Sequence, residues 1–388
     1  MAGERVGELL GKFREKYQAG GKQVRSDLLD EFCGLTGYHR KYAIALLGRV
    51  HEEKRKRVRR RRGVTYCAQT LRVVEAVWEA AGYPWSERLV AMFPLWLPWA
   101  RKHLPGVTEQ VVQQVGTISA RQIVRRLRDK KVSMKRRIYG RTKPGTLLKH
   151  QIPIKTDHWD VRGPGYTEID LVSHSGQSAS GEFIHSLNVT DIHTGWCETR
   201  AIMGKGEAGV VAALDEIRRA LPFRLLAIDS DNGSEFINHH LVRYCAKHRI
   251  HFTRGRAYKK DDNAHIEQKN WTHVRRIFAW DRYDSREQQD AMNHLYRGDL
   301  RFMMNLFQPC VKLKTKTRVG SKLRRHYDRA TTPLDRLLQT SPQTAATIAL
   351  NKLTTQREST DPFALSHTIE RQLTKLERLR RTTKKSAA

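Results

Sequence analysis

Three observations predict a multidomain chain with a helical amino-terminal region, an α/β core and a mixed, basic carboxy-terminal region. Apolar residues recur at helical spacing from Gln69 to Arg128. Between Tyr166 and Thr253 they fall instead into short runs bounded by turn residues, with helical stretches between them. Beyond Glu287 helical and alternating patterns mix among many Lys and Arg residues, and 388 residues are too many for one ordinary domain. The expected divisions are 1–53 (helix-turn-helix), 54–63 (basic linker), 64–134 (second helical unit), 135–153 (basic linker), 154–285 (core) and 286–388 (basic tail).

The first unit reads as a helix from Lys22, a glycine-containing turn at Cys33–Thr36, and a second helix from Gly37 to Leu47 with Tyr38, Tyr42, Ile44 and Leu46 as anchors. His39, Arg40 and Lys41 stand near the start of that second helix, where a recognition helix meets base edges. A plain helical hairpin is the competing reading. Lys54 to Arg62 follows, almost wholly cationic and including Arg59, Arg60, Arg61 and Arg62. So dense a run repels itself and is expected to order only on a phosphate backbone. Helices are expected over Gln69–Ala81, Pro84–His103 and Thr108–Val115, with Trp78, Trp85, Trp96 and Trp99 as core residues. Ser119 then caps a helix whose arginines, Arg121 and Arg125 among them, suggest a second recognition helix; an exposed cationic helix is the alternative.

In the core, Tyr166–Val172, Phe183–Thr190 and Trp196–Ile202 are expected as strands, with a turn at Asp191–Gly195. A helix over Gly204–Leu221 carries Val210, Val211, Leu214 and Ile217 on one face and is closed by Pro222. A strand at Leu225–Ile228, a helix around Phe236–His248, a strand at Ile250–Thr253 and a helix opening near Asn263 complete the order. In the tail, Glu287–Phe307 reads as a helix, Lys312–Arg318 as an alternating basic strand and Thr332–Leu338 as a capped helix. A last helix after Asp361 carries Leu365, Ile369, Leu373, Leu376 and Leu379 in one stripe, to pack on its own chain or on another subunit.

The balance of 72 Lys and Arg against 40 Asp and Glu, a net charge of +32, points to a polyanionic partner. A membrane surface is disfavoured. The opening residues form no signal peptide, and the longest apolar run, Ala91–Ala100, is short and contains two prolines. Five widely spaced cysteines with no CxxC suit a reducing, cytoplasmic compartment.

Within so cationic a chain, acidic residues at strand ends stand out. Asp170 lies in one strand, Asp231 follows another in Asp231-Asn232-Gly233, and Glu267 opens a helix in Asp262-Asn263-Ala264-His265-Ile266-Glu267. Carboxylates on separate elements are what Mg²⁺ or Mn²⁺ requires, and two such ions can clamp both oxygens of an in-line displacement at phosphorus. Glu168 and Asp229 share faces with Asp170 and Asp231 by strand alternation and are rivals for those places.

The Asp170 strand, the Asp231–Phe236 run and the Asp262–Glu267 run together resemble the three blocks of the DDE integrase core, shared by retroviral integrases and transposases of bacterial insertion sequences. Thirty-five residues separate Asp231 from Glu267, the spacing typical of that family. The resemblance covers roughly Thr156 to Asp284. It implies a ribonuclease-H-like fold for the core, to which the element order also points. It further implies catalytic and metal-binding roles for Asp170, Asp231 and Glu267 with two Mg²⁺ or Mn²⁺ ions, cutting at element ends, and attack of the freed 3′-OH on target DNA. Double-stranded DNA as partner, a homo-oligomer assembled on it, and a bacterial, nucleoid-associated location go with that reading. Lys269, close to Glu267, is a candidate DNA contact. The alternatives are a transposase-derived DNA-binding regulator without chemistry and a structure-specific nuclease of the same fold without strand transfer.

Overall fold

Three helices make the amino-terminal unit: α1 (Ala2–Ala19), α2 (Lys22–Thr36) and α3 (Arg40–Leu47). Gly37 ends α2 in the left-handed conformation, its N–H donating to the Cys33 carbonyl, which lets the chain reverse within three residues. Leu29 and Phe32 of α2 and Ala43 and Leu47 of α3 are buried, with Leu10, Phe13 and Tyr17 of α1 packed against them. Tyr42 and Ile44, expected as anchors, are exposed, because the inward face of α3 runs through the i, i+4 pair Ala43 and Leu47.

The structure, a computed structural model, describes residues 2–48, 66–133, 161, 163–230, 236, 238–254, 264–319, 322–340 and 344–386. They form two units, Met1–Thr65 and Tyr66–Ala388. The second begins with α4 (Ala68–Ala80), α5 (Ser86–His103), α6 (Glu109–Thr117), α7 (Ala120–Arg126) and α8 (Arg128–Ser133). Trp78 and Trp96 are buried as expected, whereas Trp85 is 54% exposed, since it is the residue that caps α5 and lies outside its packed face.

The sheet follows the expected order. Strands β1 (Tyr166–Ser173), β2 (Ile184–Asp191) and β3 (Cys197–Met203) form an antiparallel meander. Helix α9 (Glu207–Ala220) crosses over to β4 (Ala227–Ser230), which pairs parallel with β1, and α10 (His239–His248) leads to β5 (His251–Arg254), parallel with β4. The order across the sheet is β3-β2-β1-β4-β5, a mixed α/β core of the kind the ribonuclease-H-like expectation requires. Val210, Leu214 and Ile217 of α9 and Leu241 and Cys245 of α10 bury Ile169, Leu187, Val189 and Ile228 of the sheet.

After β5 come α11 (Ala264–Lys269), a π-helical turn (Asn270–Arg275) and α12 (Arg276–Phe278). The helix expected at Glu287–Phe307 is interrupted at Gly298 into α13 (Arg286–Arg297), α14 (Asp299–Phe302) and a second π-helical turn (Met303–Phe307). A two-stranded ribbon, β6 (Leu313–Val319) and β7 (Lys322–Tyr327), precedes α15 (Pro333–Gln339), α16 (Thr344–Ser359) and α17 (Pro362–Ser386). Val172, Ile184, Trp196 and Ala201 of the sheet share a second hydrophobic cluster with α4 to α7, with α13 and with α17. The stripe of α17 therefore packs on its own chain: Phe363, Leu365, Ile369 and Leu376 are buried, and Phe363 meets Trp96 edge-on at 5.0 Å. Among the described residues no helix is long and apolar enough to cross a membrane.

Candidate active site

The middle of the sheet carries the acidic residues singled out above, and their neighbours divide them into two kinds. Glu168 on β1 is 1% exposed, and its Oε2 accepts the Ile266 N–H at 2.9 Å. Asp229 on β4 is fully buried and accepts the Thr253 hydroxyl at 2.6 Å. Both rivals thus serve the chain itself, one holding α11 against β1 and the other tying β4 to β5.

Asp170 differs. It is half-buried, its Oδ1 takes the Leu171 N–H at 2.7 Å, and its Oδ2 takes the Asn270 side-chain amide at 2.6 Å. The Asn270 carbonyl in turn accepts the Asn188 amide at 2.9 Å. Asn188 pairs with Asp170 in the β1–β2 register, and its own carbonyl accepts from the Cys197 thiol at 2.7 Å and the Thr199 hydroxyl at 3.3 Å. Because the far end of this relay consists of donors, each amide is oriented, and Asn270 must present N–H to the carboxylate. A charge-assisted bond of that length fixes the Asp170 rotamer.

Asn270 opens the π-helical turn that follows α11. Such turns add a residue to one helical repeat and recur at functional sites. Here the turn brings Asn270 onto Asp170 while His273 and Val274 are buried. Arg275 closes it, stacked on the Trp280 ring at 3.8 Å. Burial lowers its guanidinium to about 10, against the pull of the nearby Tyr296 and Asp170, so it remains cationic at neutral pH. Asn188, Asn270 and Arg275 are not evident from local sequence patterning. The one available signal is a polar residue inside an apolar strand, Leu187-Asn188-Val189, where Asn is disfavoured.

Asp231 and Arg59, Arg60, Arg61 and Arg62 lie outside the described residues, and of Glu267 only the backbone is described. Its position is bracketed nonetheless: Ile266 bonds Glu168 and Asn270 bonds Asp170, so the turn of α11 bearing Glu267 lies along β1. In the β1–β4 register Ile169 stands opposite Ser230, the residues immediately before Asp170 and Asp231. No cluster of three metal-ligating side chains occurs among the described residues. Asp170 is a hard oxygen donor of the kind Mg²⁺ and Mn²⁺ take, held in one rotamer and half-buried, which fits such an ion.

Lys269, expected to touch DNA, is 7% exposed. It lies near His273 and Cys197, and its ammonium faces Gly195 at the β2–β3 turn, where a Cβ would stand 3.7 Å from Nζ. Gly195 has a φ of +75° and a Cβ on it would also press on the Cys310 Sγ at 2.8 Å, so glycine is required on both counts. A buried ammonium supports the fold around the site instead of meeting solvent. Arg40 is exposed but committed in part to α2, through an ion pair with Asp30 and a 2.8 Å bond to the Ser26 hydroxyl. Lys41, Arg121 and Arg125 are exposed, the last two on α7, which Ser119 caps by accepting the Gln122 N–H.

No family model matches the chain. It is 34% identical over 331 residues to the uncharacterized protein y4rM of Sinorhizobium fredii, covering 85% of this chain and 94% of that protein. Among solved structures it is similar to the catalytic core domain of BIV integrase, at 15% identity and a TM-score of 0.31 over 46% of this chain and 95% of that one. It is also similar to the HTLV-2 integrase catalytic core domain in complex with magnesium, at 12% identity and a TM-score of 0.29 over 38% of this chain and 92% of that one.

Proposed function

This chain belongs to the family of the uncharacterized protein y4rM, and we propose that it is a DNA transposase, a polynucleotidyl transferase that cuts DNA at element ends and joins the freed 3′-OH to target DNA. The observation that carries the reading is the neighbourhood of three sequence blocks around β1: Asp170 itself, the paired strand that leads into Asp231, and the helical turn that bears Glu267. Asp170, Asp231 and Glu267 are the residues that would hold Mg²⁺ or Mn²⁺, and the ions when bound polarise the nucleophile and offset charge on the leaving oxygen. The protein's own contribution is positional. Asn270 and Asn188 keep one Asp170 oxygen engaged, which leaves the carboxylate oriented without a search among rotamers.

In cleavage, water adds to phosphorus as the 3′-oxygen leaves. In joining, the 3′-OH forms a new P–O bond while a target-strand oxygen departs as a hydroxyl, so one ester replaces another and no redox partner is needed. Lys41 of α3, the Arg59–Arg62 run and Arg121 and Arg125 of α7 would hold the end duplex, with Arg40 sharing its guanidinium between α2 and DNA. Phosphate contacts from the cationic run set affinity and the helix residues set preference.

The test supplies pre-cut duplex ends bearing a 3′-OH together with supercoiled plasmid and Mg²⁺ or Mn²⁺. Covalently joined products are expected, lost in Glu267→Gln with binding retained. Hydrolysis without joining across ends, metals and salt would make the protein a nuclease. Binding with neither reaction would make it a regulator.

A further inference from the structure

We propose that the β6–β7 ribbon is a duplex-DNA probe that lies in the major groove beside the Asp170 edge; this rests on the DNA-processing function proposed above and adds a second contact surface to it. The ribbon's sequence, Leu313 to Tyr327, carries Lys314, Lys316, Arg318, Lys322, Arg324 and Arg325 and no acidic residue. Its register sets Lys316 directly opposite Arg325, with Thr317 opposite Arg324. Like charges facing across an antiparallel pair oppose strand pairing, and an isolated two-stranded hairpin is marginal to begin with. A ribbon built this way gains most from a polyanion laid along it.

The charges also stop where the ribbon meets the body. Lys312 and Asp328 at its base exchange bonds, Lys312 N–H to the Asp328 carboxylate at 2.6 Å and Asp328 N–H to the Lys312 carbonyl at 2.9 Å. Asp328 pairs with Arg336 at 2.6 Å, and the Lys312 ammonium reaches the His193 carbonyl at 2.7 Å. The base is thus bolted to the β2–β3 turn. Beyond it, among the described residues, Lys314, Arg324 and Arg325 are exposed and form no ion pair. Leu313, Thr315, Thr317, His326 and Tyr327 are exposed with them.

Dimensions and placement fit the same partner. Strands of this length run roughly 20 Å, and a major groove about 12 Å wide admits a two-stranded ribbon. The base touches the turn ending at Gly195, whose other neighbours are Cys310 and Lys269, the last residue of α11. The base of the probe and the end of α11 therefore meet the same β2–β3 turn. Cations grip the groove walls, and Thr315, Thr317 and His326 present hydroxyl and imidazole groups to base edges.

The test measures binding of the full chain to a 30-base-pair duplex by fluorescence anisotropy across a KCl series without divalent metal, with dimethyl sulfate reactivity of guanine N7 as the groove reporter. Arg324→Ala with Arg325→Ala should flatten the plot of log affinity against log salt by about 2, at roughly 0.9 for each phosphate no longer neutralised. It should also remove N7 protection, while Arg324→Lys with Arg325→Lys keeps most of the slope. An unchanged slope and footprint in the alanine variant, with wild-type binding intact, overturns the ribbon and leaves the DNA-processing reading standing. Wild type that binds no duplex overturns both. A slope change on structured RNA alone makes the partner RNA and overturns the proposal.

Discussion

Replacing Asn270 by Ala isolates the relay that orients Asp170. The substitution deletes one amide bond to a carboxylate, 2.6 Å long, and strands the Asn188 amide that Asn270 accepted at 2.9 Å. Hydrogen bonds to charged groups contribute roughly 1.5–3 kcal/mol. If all of that serves to hold the reactive rotamer, the rate of strand cleavage falls roughly ten- to a hundredfold at about 1.4 kcal/mol per decade. Because the residue acts through Asp170 and not on DNA, the Mn²⁺ concentration for half-maximal rate should rise while duplex affinity stays at the wild-type value. Asn270→Asp sets a second carboxylate against Asp170, which disfavours ionisation and should move the rising limb of the pH–rate profile upward. Asn188→Ala should do less harm, and the Asn188→Ala, Asn270→Ala double variant less than the sum, since the two share one chain of bonds. An Asn270→Ala rate within twofold of wild type at every Mn²⁺ concentration would refute the relay.

Asp170→Asn should abolish metal-dependent cleavage and joining without a change in duplex affinity measured in EDTA; retained cleavage would sink its role. Trp96→Ala should cost about 3–5 kcal/mol in denaturant unfolding, by emptying the site where α5 meets Phe363 of α17. Burial, with Arg275 next, holds His174 down to about 3, and burial holds His273 well below its ordinary value. Their neutral forms belong to the folded state, so their stabilising contribution is complete above pH 6.5 and is lost as the pH falls, toward pH 3 for His174. Each should add about 1.4 kcal/mol per pH unit to the slope of stability against pH in that window, and His174→Gln should lower the slope measured by urea titration at pH 4–6.

What was legible in the chain was local. Alternation and turn residues located β1, β2, β3 and α9, and the apolar run Leu225–Ile228 located β4 to within two residues at each end. Asp170 could be told from Glu168 only through the resemblance, because alternation gives both the same face; the bond from Ile266 to Glu168 supplies the physical difference. Asn188 and Asn270 escaped notice because each acquires its partner from a distant element, Asn270 lying one hundred positions from Asp170. Tyr42 and Ile44 misled because an eight-residue helix with apolar residues all round has no single readable phase. Lys269 misled because it is buried against the distant β2–β3 turn at Gly195, a neighbour that no local pattern reveals.

The packing of α17 against α5 has a meaning in time. The chain is made from its amino terminus at roughly 5–20 residues per second, so Trp96 waits on the order of 15–50 s for Phe363 to be synthesised. During that interval the strands and helices up to β5 can assemble, yet the apolar surface of α5 lacks its last cover. A nascent chain of this protein is therefore at its most adhesive late in synthesis. Chaperone occupancy mapped by crosslinking along the growing chain should peak after the sheet is complete and fall once α17 has left the ribosome.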